Sequence, residues 1–358
     1  MPAYLWPAAI YFFILLAHLA IPGRWVDGYV VSRATGRKLR YRLNGLPVLA
    51  VTVAAWALAC VTGLLSWDAF YVHRWEMLVG AFVLGLLYTL AIVLPAEPVP
   101  GRGLWADLYL GRLENPQWGD GRVDAKMYLY LAGAVMLELN VLSFMARHLT
   151  MHAEDPSLGV LAYTALFTFF VTEYLFFEEV HLYTYDFMAE RVGFKLGWGC
   201  FVFYPFFYCV GLWTLAEAPN PHTPPLSLAF FVLLFFGGWV LSRGANLQKF
   251  QFKRDPHAKA FGILDPRPIS GAGKHVLSGG FWGISRHVNY LGEITMASAL
   301  ALVLGYPLTL GPWLYPLYYV TLLVPRQRAD DERCAERYGE LWTEYCRRVP
   351  YRIVPFLY

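Results

Sequence analysis

The sequence predicts an all-α polytopic membrane protein, and three observations carry that prediction. The first is composition: of 358 residues, 57% are apolar, 17% aromatic and 15% charged, where soluble domains carry about 25% charged residues. The second is a series of apolar runs of near-spanning length. The third is the alternation of basic and charge-poor connections between them. Twenty-nine Lys and Arg stand against 26 Asp and Glu, a net charge of +3. So much apolar surface excludes a disordered chain. So small a basic excess excludes a nucleic-acid binder.

A helix needs roughly 20 residues to cross the hydrocarbon core. The run 3–21 lacks the basic start of a signal peptide and reads as the first span. Runs 47–65, 77–94, 127–145, 158–177 and 196–216 read as five more. Runs 225–241 and 308–324 are shorter, and 294–304 begins inside the Gly-rich stretch before it. The total is nine to ten.

Orientation follows from the connections. Loop 22–46 carries Arg24, Arg33, Arg37, Lys38, Arg40 and Arg42, loop 242–293 carries eight Lys or Arg, and the tail from 325 carries seven Arg. Loops 66–76, 146–157 and 217–224 are poor in both. Nine spans place every basic segment on the cytoplasmic side. The five cysteines form no C-x-x-C pair, so neither a disulfide framework nor zinc is expected.

Four segments carry polar groups suited to chemistry. In the first, Arg243 to Arg254 extends a span as a helix, and Lys249 and Lys253 share a face suited to phosphate or to lipid headgroups. In the second, residues 277–293, glycines allow close backbone approach, Arg286 can bind phosphate, Asn289 can pair with an amide, and Trp282 and Tyr290 can stack on a flat ring. In the third, Arg326, Asp330, Arg333 and Arg337 fall on one helical face. The fourth is acidic: Glu173, Glu178, Glu179 and Asp186, with Tyr174, within or beside the membrane, where ionisable groups are costly. No G-x-G-x-x-G, Walker A, G-x-S-x-G or H-E-x-x-H pattern occurs, so a dinucleotide here would not sit on a Rossmann fold.

These residues match a known pattern. Stretch 278–293 (S-G-G-F-W-G-I-S-R-H-V-N-Y-L-G-E) and tail 330–358, ending V-P-Y-R-I-V-P-F-L-Y, resemble the membrane sterol reductases. That group comprises the sterol Δ14-, Δ7- and Δ24(24(1))-reductases and the lamin B receptor membrane domain. Segments 36–46, 111–116, 186–208 and 243–249 extend the resemblance over nearly the whole chain.

The resemblance implies a fold of nine to ten helices forming one sterol-reductase membrane domain over 1–358. Within it, 1–241 would form the membrane helices and sterol pocket, and 242–358 a cytoplasmic-side NADPH half. It implies cofactor contacts from Lys249, Lys253, Leu277, Trp282, Asn289, Tyr290, Arg326, Asp330, Cys334, Arg337, Tyr338 and Tyr345. It implies a sterol entering from the bilayer of a bacterial inner membrane or the endoplasmic reticulum, and no metal or nucleic-acid partner. The sequence departs from the pattern at Lys253 (usually Arg), at Pro325 and Ala329 (a His and an Arg), and at Phe281 (a Trp). Phe170 stands near the family's membrane tyrosine, with Tyr174 one turn later.

The implied reaction protonates an isolated C=C bond and then quenches the tertiary carbocation with hydride. Asp330, Tyr174, Glu173, Glu178 and Glu179 are the candidate acid groups. The motifs sit nearest the Δ14 group, while F-Y-P-F-F-Y at 203–208 keeps Δ7 and Δ24(24(1)) reduction open. A membrane methyltransferase of the isoprenylcysteine type, using S-adenosylmethionine, and a non-catalytic sterol-binding scaffold are the rival readings.

Overall fold

The computed structural model describes residues 1–32 and 35–358; Arg33, counted above with the basic loop, lies outside the described residues. The chain forms two compact units, Met1–Asn220 and Pro221–Tyr358.

The first unit is built on α1 (Trp6–Ala20), α2 (Gly45–Val61), α3 (Arg74–Val93), α4 (Ala125–Met151) and α5 (Leu158–Phe176). Helix α4 is central: 78% of its apolar window is buried, against 28% for the windows of α1 and α3, whose remaining surface is free for lipid. Loops meet at the two ends of this unit in the alternation the charge pattern predicts. At one end Arg147 bridges Asp68 at 3.2 Å and Glu217 at 2.7 Å. Beside it, His148 Nδ1 lies 3.0 Å from the Ala216 carbonyl. At the other end Leu113 bridges Val192, and Lys126 donates to the carbonyls of Asp186 and Phe187 at 2.9 and 3.2 Å.

The all-α expectation needs correcting in the loops. Segment 22–46 contains an antiparallel hairpin, β1 (Arg24–Val31) and β2 (Lys38–Leu43), with Val26 opposite Tyr41. Its cause is legible: Leu39, Tyr41 and Leu43 alternate with Lys38, Arg40 and Arg42, a period-two pattern. Tyr41 and Leu43 pack on Met127, Leu182 and Phe187. Gly28 gives the Tyr41 ring its room, since a Cβ there would lie 2.4 Å from it. Two smaller two-stranded ladders, β3–β4 (Gln117–Trp118, Val123–Asp124) and β5–β6 (Ile269–Gly271, Lys274–Val276), complete the sheet content among the described residues.

Run 196–216, expected as one span, is broken. A five-residue π turn, Gly199–Phe203, is followed by Tyr204–Phe207 and then Val210–Leu215. Pro205 has no N–H to continue a helix. Its carbonyl instead accepts from Asn140 Nδ2 of α4 at 2.9 Å. Gly133 lets the Cys200 carbonyl approach α4; a Cβ there would lie 2.6 Å from that oxygen.

The second unit contains α6 (Pro225–Arg254), α7 (Val288–Val303), α8 (Leu310–Tyr338) and α9 (Glu340–Arg348). Helix α6 has 30 residues, about 45 Å at 1.5 Å per residue, so it outruns a core of about 30 Å and carries Lys249 and Lys253 on its extension. Helix α8 runs through Pro316 and Pro325 to Tyr338, and Gly339, with φ of 56°, ends it. Helix α7 does begin before residue 294, as expected. Helices α6 and α7 touch backbone to backbone. A Cβ on Gly292 would lie 2.5 Å from the Gly238 carbonyl oxygen, and one on Gly238 2.8 Å from that of Gly292. Small residues permit such close helix packing in a membrane.

Among the described residues, five helices are long and apolar enough to cross a membrane: those at Ala3–Ala20, Arg74–Val93, Ala125–Met151, Leu158–Phe176 and Pro225–Arg254. Gly45–Val61 and Val288–Val303 are shorter apolar helices. The protein is a multi-pass membrane protein.

Candidate active site

In the second unit the predicted residues converge on the far end of α6. The turn Gly280–Gly283 is fixed there by Gln248, whose Nε2 donates to the Gly279 carbonyl at 3.1 Å and whose Oε1 accepts from the Phe281 N–H at 2.9 Å. Gly280 sits at φ of 60°, and a Cβ on it would meet the Gln248 amide at 2.3 Å. Trp282 is buried on this turn. Its Nε1 donates to the Ala245 carbonyl at 2.9 Å, and its own carbonyl accepts from Tyr345 Oη at 2.9 Å. With Leu277, Ala245, Phe252 and Val288 it forms a small core. Lys249 Nζ stands 5.3 Å from the centre of the Trp282 ring, within cation–π range.

Helix α8 supplies the opposite charges. Asp330 and Lys249 both lie within electrostatic range of Cys334, and Lys253 sits among Lys249, Arg337, Cys334 and Asp330. Burial, with Asp330 nearby, pushes the Cys334 thiol up to about 12, so it stays protonated at neutral pH. Burial, with Lys249 and Arg337 nearby, pushes the Lys253 ammonium down to about 7, so a bound anion would favour its charged form and this end of α6 suits an anion. Asn289 Nδ2 reaches Asn246 Oδ1 at 3.5 Å, while its own Oδ1 is shut off from solvent with no hydrogen-bond partner. A buried acceptor left open is costly unless a ligand donor completes it. A phosphorylated nucleotide with a carboxamide meets both demands, so these residues fit NADPH.

Other predicted residues have structural surroundings. Tyr345 is 2% exposed, and its hydroxyl is committed to Trp282. Tyr338 packs against the cluster of Ile269, Val276, Tyr345 and Val349. Tyr290 stacks on the His287 ring, centroids 5.0 Å apart. Arg326 lies on α8, one turn before Asp330.

Asp331 was missed by sequence reasoning. It accepts from Gln327 Nε2 at 2.5 Å and faces Arg286 at 3.5 Å, His287 at 3.7 Å and Arg352 at 3.9 Å. The tail joins the same knot: the N–H groups of Arg286 and His287 donate to the carbonyls of Tyr351 and Arg352 at 2.9 and 2.8 Å. Burial alone would raise the Asp331 carboxyl, but the nearby His287 ring and the guanidinium charges of Arg286 and Arg352 hold it below its ordinary range. Its signal was the neighbouring face of the same helix, where Gln327 and Asp331 are four apart.

The acidic set lies in the first unit and divides. Glu179 pairs with Arg24 at 2.7 Å. Glu173 is buried near the end of α5. Tyr174 stacks on His181 with centroids 3.9 Å apart, and its carbonyl accepts from His181 Nε2 at 3.0 Å. Glu178 lines a cavity of about 380 Å³ with Arg24, Asn44, Gly45 and Leu175, and its Oε2 accepts from the Gly45 N–H at 3.0 Å. Burial raises its carboxyl to about 7, against the opposing pull of the Gly45 N–H and Arg24. A second carboxyl was missed: Glu138, in the middle of α4, accepts from Thr168 Oγ1 at 2.7 Å, while its Oε2 is buried without a partner. Its signal was a lone carboxylate within run 127–145.

The chain is 32% identical over 363 residues to the Delta(14)-sterol reductase of Arabidopsis thaliana, covering 98% of this chain and 95% of that protein. It is 30% identical to the Delta(14)-sterol reductase of Methylotuvimicrobium alcaliphilum, covering 94% of this chain and 79% of the relative. It is 31% identical to the Delta(14)-sterol reductase LBR of Gallus gallus, covering 95% of this chain and 54% of the longer relative. A profile of one family matches residues 2–358, so the chain belongs to the ergosterol biosynthesis ERG4/ERG24 family.

Proposed function

We propose that the protein reduces the Δ14 double bond of a sterol with NADPH. The observation that carries the cofactor assignment is the grouping of Lys249, Lys253 and Arg337 beside Trp282 and the open Asn289 carbonyl. The names of the relatives support Δ14 as the bond.

When bound, NADPH supplies a hydride. Lys249, Lys253, Arg326 and Arg337 hold its phosphates by charge-assisted contacts. Trp282 and Tyr290 offer ring faces, and Asn289 Oδ1 accepts the carboxamide N–H. Asp330, alone among cations, orients the reacting end or relays a proton. Protonation of an isolated alkene creates a tertiary carbocation, so the reacting space must exclude water and present π or negative charge. Tyr174, Glu173 and Glu178 are the acid groups of the first unit from which the proton can start. Glu179 is the weaker candidate because Arg24 already engages it. The basic segments lie cytoplasmic, the chain crosses the membrane nine to ten times, and the sterol enters from the bilayer.

The test is turnover by purified protein with deuteride-labelled NADPH and Δ14, Δ7 and Δ24(24(1)) sterols. Deuterium in the Δ14 product supports the reading. Deuterium only in another sterol reassigns the bond.

A further inference from the structure

Helix α7 opens without a side-chain cap, and the tail pins its lead-in instead. The N–H groups of Arg286 and His287 bond to the carbonyls of Tyr351 and Arg352, and Ser285 Oγ donates to the Ile353 carbonyl at 2.8 Å. Ser285, His287 and Ile353 are all buried. Residues 285–287, just before the helix, are thus held by residues 351–353 of the tail.

Tyr358 closes the tail on itself and ties it to α8. Its main-chain oxygen accepts from the N–H groups of Arg352 and Ile353 at 2.8 and 2.9 Å. Its hydroxyl donates to Gln327 Oε1 at 3.4 Å, accepts from Arg352 Nη1 at 3.3 Å and is bonded to Arg328. Gln327 is fully buried and passes the link on: its Nε2 donates to Asp331, which faces Arg286 at 3.5 Å. Two routes therefore run from Tyr358 to the start of α7. One follows the main chain through Arg352 to His287. The other follows side chains through Gln327 and Asp331 to Arg286. Both end at the first turn of α7. That turn carries Asn289, with its buried and unpartnered Oδ1, and Tyr290, stacked on His287.

We propose that Tyr358 is a positioning residue: it buckles the tail onto α8, and the buckled tail holds Asn289 and Tyr290 in the orientation that takes NADPH. The identity of the cofactor rests on the proposed function; the buckle rests on the bonds above. The hydroxyl is the part that matters. The ring alone would keep its place beside the Arg352 guanidinium, 5.5 Å from its centre, but the hydroxyl joins the tail to Gln327. The coupling is reciprocal: an ordered tail favours bound NADPH, and bound NADPH must order the tail by the same factor.

The test uses the full chain in detergent and two readouts that need no turnover. These are hydrogen exchange of the amides at 285–287 and 351–358, and NADPH affinity by titration calorimetry. In the wild type, saturating NADPH should slow exchange in both segments. Tyr358→Phe deletes one oxygen. It should speed exchange at 285–287 without NADPH and weaken NADPH binding about tenfold, the worth of one hydrogen bond. In turnover, its KM for NADPH should rise and its kcat should stay. Gln327→Leu cuts the same route one step later and should weaken NADPH by a similar factor. Because both act on one link, the double variant should lose no more than either alone. The wild-type exchange result stands even if a variant fails to fold. Wild-type protein that binds no NADPH would overturn the cofactor reading, and the positioning role with it. Three results would overturn the positioning role alone: wild-type protein that binds NADPH with no change of exchange at 351–358, a folded Tyr358→Phe that binds NADPH as tightly as wild type, or additive losses in the double variant.

Discussion

Glu178→Gln should make the protein more stable at pH 8 and leave it unchanged at pH 4.5. The Glu178 carboxyl is raised from 4.5 to about 7, chiefly by burial. Between those values the folded protein keeps a proton that the unfolded chain has released. Stability therefore falls as pH rises through that window, and the whole penalty is present above about 7. At about 1.4 kcal/mol for each pH unit, a gap of about 2.5 between 4.5 and 7 amounts to about 3 kcal/mol. Glutamine keeps an oxygen for the Gly45 N–H and has no charge to bury. Thermal unfolding in detergent at pH 5, 6, 7 and 8 reads the effect. The variant should exceed wild type by less than about 1 kcal/mol at pH 5 and gain progressively to pH 8, by at most about 3 kcal/mol. Parallel wild-type and variant curves across that range would refute the reasoning, because the ionised carboxyl would then cost nothing.

Asp331→Asn should destabilise the protein by about 2 kcal/mol at pH 7, since the buried Arg286 guanidinium loses its counter-charge across a contact of 3.5 Å. Because the Asp331 carboxyl is held below its ordinary value, that stabilisation is present at neutral pH and is lost as pH falls below about 4; melts at pH 3.5 and 7 should show a smaller wild-type to variant difference at the lower pH. Asn289→Ala should raise the KM for NADPH about tenfold through the loss of one buried hydrogen bond, with the KM for sterol unchanged in steady-state kinetics. Gly292→Ala should destabilise by about 1–3 kcal/mol, because its Cβ would meet main-chain atoms of α6 at 2.5 Å that cannot step aside; a thermal melt measures it.

Much of this fold was legible because apolar run length and charge placement report directly on membrane crossing. The helical continuation past residue 241 was legible too, from Lys249 and Lys253 four apart, and α6 runs unbroken to Arg254. What escaped was set by partners distant in sequence. Run 196–216 is interrupted by the π turn Gly199–Phe203 and again after Phe207, where the Pro205 carbonyl accepts from Asn140, a residue 65 positions earlier. The hairpin at Arg24–Leu43 escaped because its basic residues were read for charge and not for their alternation with Leu39, Tyr41 and Leu43.

At the site, the turn around Trp282 was readable from its density of glycine, aromatic and polar residues. Gln248, which fixes that turn, was not, because an amide on a helix gives no sign of its partner. The choice between Asp330 and Asp331 shows the same limit. Adjacent residues on a helix face about 100° apart, so one joins Lys253 and Cys334 while the other joins Arg286 and His287. Sequence spacing assigned the first face and gave no partner for the second.

The most direct test of the central claim is single-turnover reduction of a Δ14 sterol by the purified protein with deuteride-labelled NADPH. The account predicts one deuterium delivered to the former double bond, and loss of that transfer in Lys249→Ala with Asn289→Ala. A sterol recovered without deuterium from folded protein that binds NADPH would contradict it.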